Sequence, residues 1–308
     1  MSSNTIAHFR NGVGNFIVLT PALQALAKMD ASGKIDICTD EEWMDSRKRP
    51  LFEICERLPF INRVYGFREI KDKKYKTWFW TQWNSCGASL EYFKTKKYYE
   101  EPWNMLHTHE SDYYFDIVKK HYGFTGNKPP QMIVPAEQPL LDMTKKNIVL
   151  VDGGFGEMTV MKKWGKFGQL AEQVKNYYGD EVCIIKIGYR DELSDVKIFD
   201  RDYVNQLSMT ESAKVISQAS VVIADDTGNM HCADALGIPL IVLWGGSILA
   251  KNRPINSKSK IIHAGLECQP CQPDAGYNRC EKIQCLDYIT VGEVMYHLRQ
   301  FLSKGEFT

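Results

Sequence analysis

The sequence predicts an α/β fold built on parallel sheets, and three observations carry that prediction. Strand-length runs such as that opening "NIVLVDGG" (147–154), "EVCIIKIG" (181–188), "SVVIADD" (220–226) and "IPLIVLW" (238–244) are largely apolar, as strands covered on both faces must be. Stretches with helical apolar spacing stand between them, the pattern of β-α-β units. The alternation occurs twice, on either side of "TGNKPPQMIVPAEQP" (125–139), whose prolines mark a connector. A chain of 308 residues has room for two domains of roughly 100–200 residues. The boundary is therefore set at 1–140 and 141–308, with the linker at 125–145.

Each element follows from its own residues. "TIAHF" (5–9) reads as a strand. Thr20-Pro21 looks like a helix opening, Thr20 as N-cap and Pro21 at the first helical position, leading into "ALQALAKM". "KIDICT" (34–39) is the next strand. "DYYFDIVKKHYGF" (112–124) has helical spacing. In the second half, "KFGQLAEQVKNYYG" is an amphipathic helix ending at Gly179, and "MTESAKVISQAS" (209–220) is another. "GNMHCADALG" is a short helix closed by Gly237.

Composition excludes some functions. Lys plus Arg and Asp plus Glu are both 38, so net charge is zero, and nothing pulls the whole chain toward nucleic acid or anionic membrane. The longest apolar runs are of strand length, far below the ~20 residues of a membrane span. The start "MSSNTIAHFRNG" lacks the basic-then-apolar pattern of a secretion signal. A cytoplasmic protein is expected, with room for peripheral contact at the inner membrane face.

Ligands of open α/β sheets sit beyond the carboxyl ends of the strands. Three loops of the second half fall there. "DGGFGEMTVMKKW" (152–164) brings glycines, Thr159 and Lys162-Lys163. "IGYRDEL" (187–193) brings Gly188 and Glu192. "ADDTGNMHCADALG" ends a strand on Asp225-Asp226 and opens a helix at Thr227-Gly228, with His231 one turn on. Helix starts and lysines suit phosphate, and a carboxylate suits ribose hydroxyls. Each feature also has a plain structural reading: Asp226 and Thr227 as helix caps, the lysines as a wetted face, His231 as a core residue. The first loop, "RNGVGNF" (10–16), has Gly12 and Gly14, but position 17 is Ile, so the dinucleotide G-x-G-x-x-G is incomplete.

Several of these segments resemble glycosyltransferase family 9, the ADP-heptose:lipopolysaccharide heptosyltransferases. "ADDTGNMHCADALGIPLIVLWGGS" is similar to the family's N-D-T-G-P-M-H-L-A-A-A-L-G-x-P followed by an apolar strand. "MKKWGKFGQLAEQV" resembles its K-x-W-P-x-x-x-F-x-x-L-A, and "GVGNFIVLTPALQAL" its G-x-G-D and T-P-A-L. "CQPCQPDAGYNRCEKIQCLDYITVGEV" resembles its C-x-P-C segment. The matches run in family order from residue 6 to about 295, and are poor between about 40 and 106.

The resemblance implies a GT-B architecture: two facing Rossmann-like domains with parallel sheets and an interdomain cleft. It implies an inverting transfer from an ADP- or UDP-linked sugar, with no metal or other cofactor needed, to a glycan or glycolipid such as lipopolysaccharide core. Carried over by position, the donor would meet Thr159, Lys162, Lys163, Gly188, Glu192, Met209, Asp226, Thr227, Gly228, His231 and Gly245. The acceptor would meet Gly12, Gly14 and Asn15.

Position 15 departs from the family, whose aspartate is its general base; here it is Asn15, and an amide takes no proton at neutral pH. Asn15 is left with the orientation of the acceptor. Replacement bases are His107, His109, Glu110 and Asp112 in "HTHESDYYF", or Asp40; His109 is preferred because imidazole titrates near neutrality. The alternatives are a proton lost to water or phosphate, or a non-catalytic nucleotide-sugar-binding homologue. The stretch 71–99 also departs. Its lysines interleaved with Trp78, Trp80, Trp83, Tyr92, Tyr98 and Tyr99 suit an anionic glycan, or the bases and backbone of DNA in a phage-type transferase acting on hydroxylated bases. An inward-packed aromatic surface is the plain reading. Finally, Cys268, Cys271, Cys280 and Cys285 have the spacing C-x2-C-x8-C-x4-C. That spacing would suit a structural zinc site, with reduced thiols or disulfides as alternatives.

Overall fold

Pro21 does not open the first helix. Strand β1 (Thr5–His8) leads into α1 (Val13–Met29), which runs unbroken through Pro21. A proline inside a helix removes the N–H that would bond the carbonyl four residues back, here that of Ile17. The Thr20 hydroxyl takes over that task, donating to Ile17 O at 2.6 Å. The same oxygen accepts from the Met132 N–H at 2.9 Å. Thr20 is thus a splice inside a buried helix, not a cap: every residue from 16 to 27 is buried, and packing overrides the local signal. We expect Thr20→Val to cost about 2 kcal/mol in urea unfolding, since it leaves the buried Ile17 carbonyl and the partly buried Met132 N–H unmet. Thr20→Ser should be mild, and an unchanged midpoint for the valine variant would remove this account of Pro21.

The computed structural model describes residues 3–9, 12–39, 50–70, 72–81, 102–153, 162–189, 198–271, 280 and 284–303. The chain divides into two units, Met1–Val134 and Pro135–Thr308, the break lying inside the proline-bearing connector. The first unit continues with β2 (Ile35–Thr39), α2 (Pro50–Arg57), β3 (Ile61–Gly66), β4 (Thr77–Trp80) and α3 (Glu110–Tyr122). Its sheet has the order β3-β2-β1-β4, and every pairing is parallel. Strand β4, "TWFW", lies within the aromatic stretch. Trp78, Phe79 and Trp80 are buried, and Trp80 stacks on His8 with ring centroids 4.5 Å apart. These tryptophans are core residues and offer no platform to a base or a sugar, which corrects that part of the expectation; Trp83, Tyr92, Tyr98 and Tyr99 lie outside the described residues.

The second unit holds β5 (Lys146–Val151), α4 (Phe167–Tyr178), β6 (Val182–Ile187), β7 (Arg201–Asp202) and α5 (Met209–Ser217). It continues with β8 (Val221–Asp225), α6 (Gly228–Ala235), β9 (Leu240–Trp244), α7 (Leu249–Asn252), β10 (Ser259–His263), α8 (Gln284–Asp287) and α9 (Val291–Ser303). The sheet order is β10-β9-β8-β5-β6-β7, again parallel throughout. Trp164, Phe167, Leu170 and Val174 pack with Val294 and Leu298 of α9 against Ile148, Ile223 and Ile241 of the sheet. The α/β class with two parallel sheets is as expected.

In each sheet the chain winds outward in one direction and then reverses. The reversal falls between β1 and β4 in the first unit and between β5 and β8 in the second. Such switch points are where open α/β sheets leave a crevice for ligands, because the connections on either side diverge.

Candidate functional site

At the second unit's switch point, the segment after β5 meets the segment after β8. Trp164 anchors the first. It is fully buried against Phe167, its indole N–H donates to Ile289 O at 3.0 Å, and its backbone N–H reaches Asp225 Oδ2 at 3.3 Å. Two residues earlier, Lys162 Nζ meets Asp226 Oδ2 at 2.6 Å. Ser247, beyond β9, donates its hydroxyl to the same oxygen at 2.5 Å. Burial would push the Asp226 carboxyl up, but the charges of Lys162 and His231 and the bonds from Lys162 and Ser247 hold it below its ordinary value. Asp226 is therefore a fixed anion that aims a partly wetted lysine.

Helix α6 starts immediately beyond. Thr227 is its N-cap residue, yet its side chain makes no capping bond, and its Oγ1 is buried with no hydrogen-bond partner. Asn229 Oδ1 is in the same condition. Buried polar atoms are nearly always bonded, so two such atoms in the first turn of one helix need an explanation. The cap reading of Thr227 is thereby corrected: the hydroxyl does nothing for the helix. Free N–H groups at Gly228 and its neighbours add the positive end of the helix dipole.

Gly188 stands beside this point, just after β6. Its φ is +132°, and a Cβ there would lie 2.5 Å from the Asp152 carbonyl oxygen. The glycine lets the turns after β5 and β6 touch. Below them Lys186, 2% exposed, sits 3.4 Å from Asp152 Oδ2 and 4.9 Å from the Phe199 ring centroid. Sequence reasoning missed this pair, as it missed Ser247 and Asn229; a lysine inside the apolar run "VCIIKI" was the available signal for the first.

The other expected donor residues are less central. Lys163 is half-buried beside Lys162. Met209 opens α5 behind a capping box of Ser208 and Glu211, beyond the edge strand β7. Gly245 gives its carbonyl to Gln269 Nε2 at 2.7 Å, and a Cβ there would make only ordinary contact with Leu286. Thr159, Glu192 and Asp40 lie outside the described residues.

In the first unit, Gly12 is the N-cap residue of α1, and Gly14 and Asn15 lie in its first turn. Asn15 Nδ2 donates to Glu110 Oε2 at 2.8 Å. His109 is the N-cap residue of α3, and its Nδ1 accepts the Ser111 N–H at 3.1 Å. This corrects the preferred base: neutral imidazole has one acceptor nitrogen, and His109 spends it on the cap, leaving the proton on Nε2.

The four C-terminal cysteines lie close enough for their charges to act on one another. Cys268, Cys271, Cys280 and Cys285 are reduced thiols, and among the described residues no group of three or more His, Cys, Asp or Glu side chains is arranged to hold a metal ion. Burial pushes the Cys285 thiol up to about 11, with Cys271, Cys280 and Cys268 adding to it, and Cys271 is raised in the same way.

Among the described residues, no helix is long and apolar enough to cross a membrane.

Comparison with known proteins agrees with this geometry. Residues 193–280 match the model of glycosyltransferase family 9 (heptosyltransferase). No curated protein matches the chain. Among solved structures, the chain is similar to a glycosyl transferase family 9 protein from Veillonella parvula, with a TM-score of 0.79, 16% identity and 98% of each chain covered. It is also similar to ADP-heptose lps heptosyltransferase II of E. coli: TM-score 0.73, 15% identity, 98% of this chain and 99% of that one. The iron-containing dodecameric heptosyltransferase TibC of E. coli, solved with ADP-D-β-D-heptose, gives a TM-score of 0.70 at 12% identity, covering 98% of this chain and 77% of that one. Residues 193–280 are thus similar in sequence to glycosyltransferase family 9, and the fold along almost the whole chain is that of the solved heptosyltransferase structures.

Proposed function

We propose that the chain is a glycosyltransferase that moves a sugar, with inversion, from an ADP- or UDP-linked donor to a hydroxyl of a glycan or glycolipid. The donor diphosphate lies at the switch point of the second unit. The observation that carries this reading is the pair of unpartnered buried oxygens, Thr227 Oγ1 and Asn229 Oδ1, beside Lys162 and the start of α6. A hydroxyl that can donate, an ammonium and helix N–H groups suit phosphate oxygens. The amide oxygen suits a sugar or ribose hydroxyl. Lys162 and the helix end also meet the charge that grows on the leaving diphosphate, which supports a transfer needing no metal. TibC contains iron; the transfer proposed for this chain uses none in its chemical step.

The acceptor lies at the switch point of the first unit, against Gly12, Gly14 and Asn15. Inverting transfer aligns the acceptor oxygen behind the anomeric carbon, and alignment alone supplies much of the acceleration. The DNA-modifying alternative loses support, since Trp78 and Trp80 are buried.

Thr227→Val tests the donor site. Removing an unpartnered buried hydroxyl should leave the ligand-free protein as stable as before or slightly more so. The thermal shift given by ADP or UDP should fall, with an affinity loss of about tenfold. A destabilised ligand-free protein with undiminished nucleotide binding would return Thr227 to a purely structural role.

A further inference from the structure

Both units carry a side-chain pair across their switch points: Lys162–Asp226 in the second, Asn15–Glu110 in the first. In the first, Asn15 stands in the opening turn of α1, which follows β1, and Glu110 is the first residue of α3, which follows β4. These are the two strands between which the order reverses. We propose that Glu110 is the general base of the transfer, supplying from α3 the carboxylate that this chain lacks at the start of α1. The proposal rests on the transferase reading above.

Two of the neighbouring candidates, His109 and Asp112, are committed elsewhere, and His107 is exposed. His109 spends its acceptor nitrogen on the Ser111 N–H. Asp112 is paired with Lys128 at 2.5 Å and is 54% exposed. Glu110 alone among them is bonded to Asn15. The chemistry of that bond is fixed, because an ionised carboxylate only accepts, so Nδ2 must face it. Glu110 is 1% exposed, so bulk water does not compete for it. The torsions of a glutamate side chain give the carboxylate the swing to meet an incoming hydroxyl.

In the step itself, the acceptor hydroxyl gives its proton to a Glu110 carboxylate oxygen while its own oxygen bonds the anomeric carbon. The bond from that carbon to the donor phosphate oxygen breaks, and its electron pair leaves with the nucleoside diphosphate. Glu110 then returns the proton to water.

The test follows nucleoside diphosphate release from ADP- and UDP-linked heptose and hexose, with water and with lipopolysaccharide-core oligosaccharide as acceptors. Donor affinity is measured beside it. In Glu110→Gln the new amide oxygen still accepts from Asn15, so the fold and donor affinity should hold. The turnover number should fall by about 100-fold or more, and the acid limb of its pH profile should vanish. Asn15→Asp combined with Glu110→Gln reverses the pair, the amide on α3 now donating to a carboxylate on α1, and should regain most of the activity. Wild-type turnover in E110Q, or a double variant as slow as E110Q, would overturn the proposal while leaving the transferase standing. A wild-type protein that binds no nucleotide sugar would overturn both.

Discussion

Lys162→Met should lower nucleoside diphosphate affinity by about 10- to 100-fold, the worth of a charged hydrogen bond to phosphate. It should also destabilise the ligand-free protein by about 2–3 kcal/mol. The second effect comes from Asp226, which keeps its charge in a buried place after losing the cation that faces it. A fully buried broken pair costs about 3–5 kcal/mol; Lys162 is partly wetted, so the figure is set lower. The two losses separate in Lys162→Met combined with Asp226→Asn, which should recover stability but not binding. Calorimetric titration with ADP and UDP and a denaturant midpoint read the two effects. A single variant that binds nucleotide like the wild type would place the diphosphate elsewhere.

The same pair sets an acid dependence with a definite sign. Asp226 is held below its ordinary value in the fold. Its contribution is therefore complete above the unfolded carboxylate value of about 4 and is lost as pH falls through the lower folded value. In the Lys162 variant burial remains while the lysine's charge is gone. The carboxyl moves up, and the acid loss of stability should begin at higher pH than in the wild type.

Gly188→Ala should be the most damaging single change to the second unit, at about 4 kcal/mol. The new methyl would stand 2.5 Å from a backbone oxygen of Asp152, and φ is +132°, where side chains rarely sit. Neither partner is a flexible side-chain tip, so relief requires the turns after β5 and β6 to part. That would loosen Asp152 from Lys186 beside the proposed donor site. Urea unfolding and ADP affinity should fall together, and a variant with wild-type stability would mean that the two turns separate at little cost.

Much of the second unit was legible in its residues. Its strands are apolar on both faces, its helices are amphipathic, and Gly179 and Gly237 stand at helix ends. Lys162 and Asp226 were picked out because chemistry-bearing residues fell at strand ends. The first unit was harder. Thr20-Pro21 carries a strong local start signal, and only the burial of α1 from both sides, with Met132 N–H and Ile17 O converging on one hydroxyl, turns it into a helix interior. The aromatic stretch likewise reads as a binding surface until β4 is paired in parallel with β1, which carries Trp78 and Trp80 into the core.

The sequence by itself determined the class, the doubling of the α/β pattern and the residue types available at each strand end, because burial on two faces and helix periodicity are written locally. The tertiary structure decided which of those residues meet. Strand order puts β5 beside β8 and β1 beside β4, and strand order is set by long-range packing, not by any one segment's propensity. That is why Lys162 finds Asp226 across 64 positions and Asn15 finds Glu110 across 95. It is also why His109, the better base on titration grounds, proves to be a helix cap, while the carboxylate next to it in sequence faces Asn15.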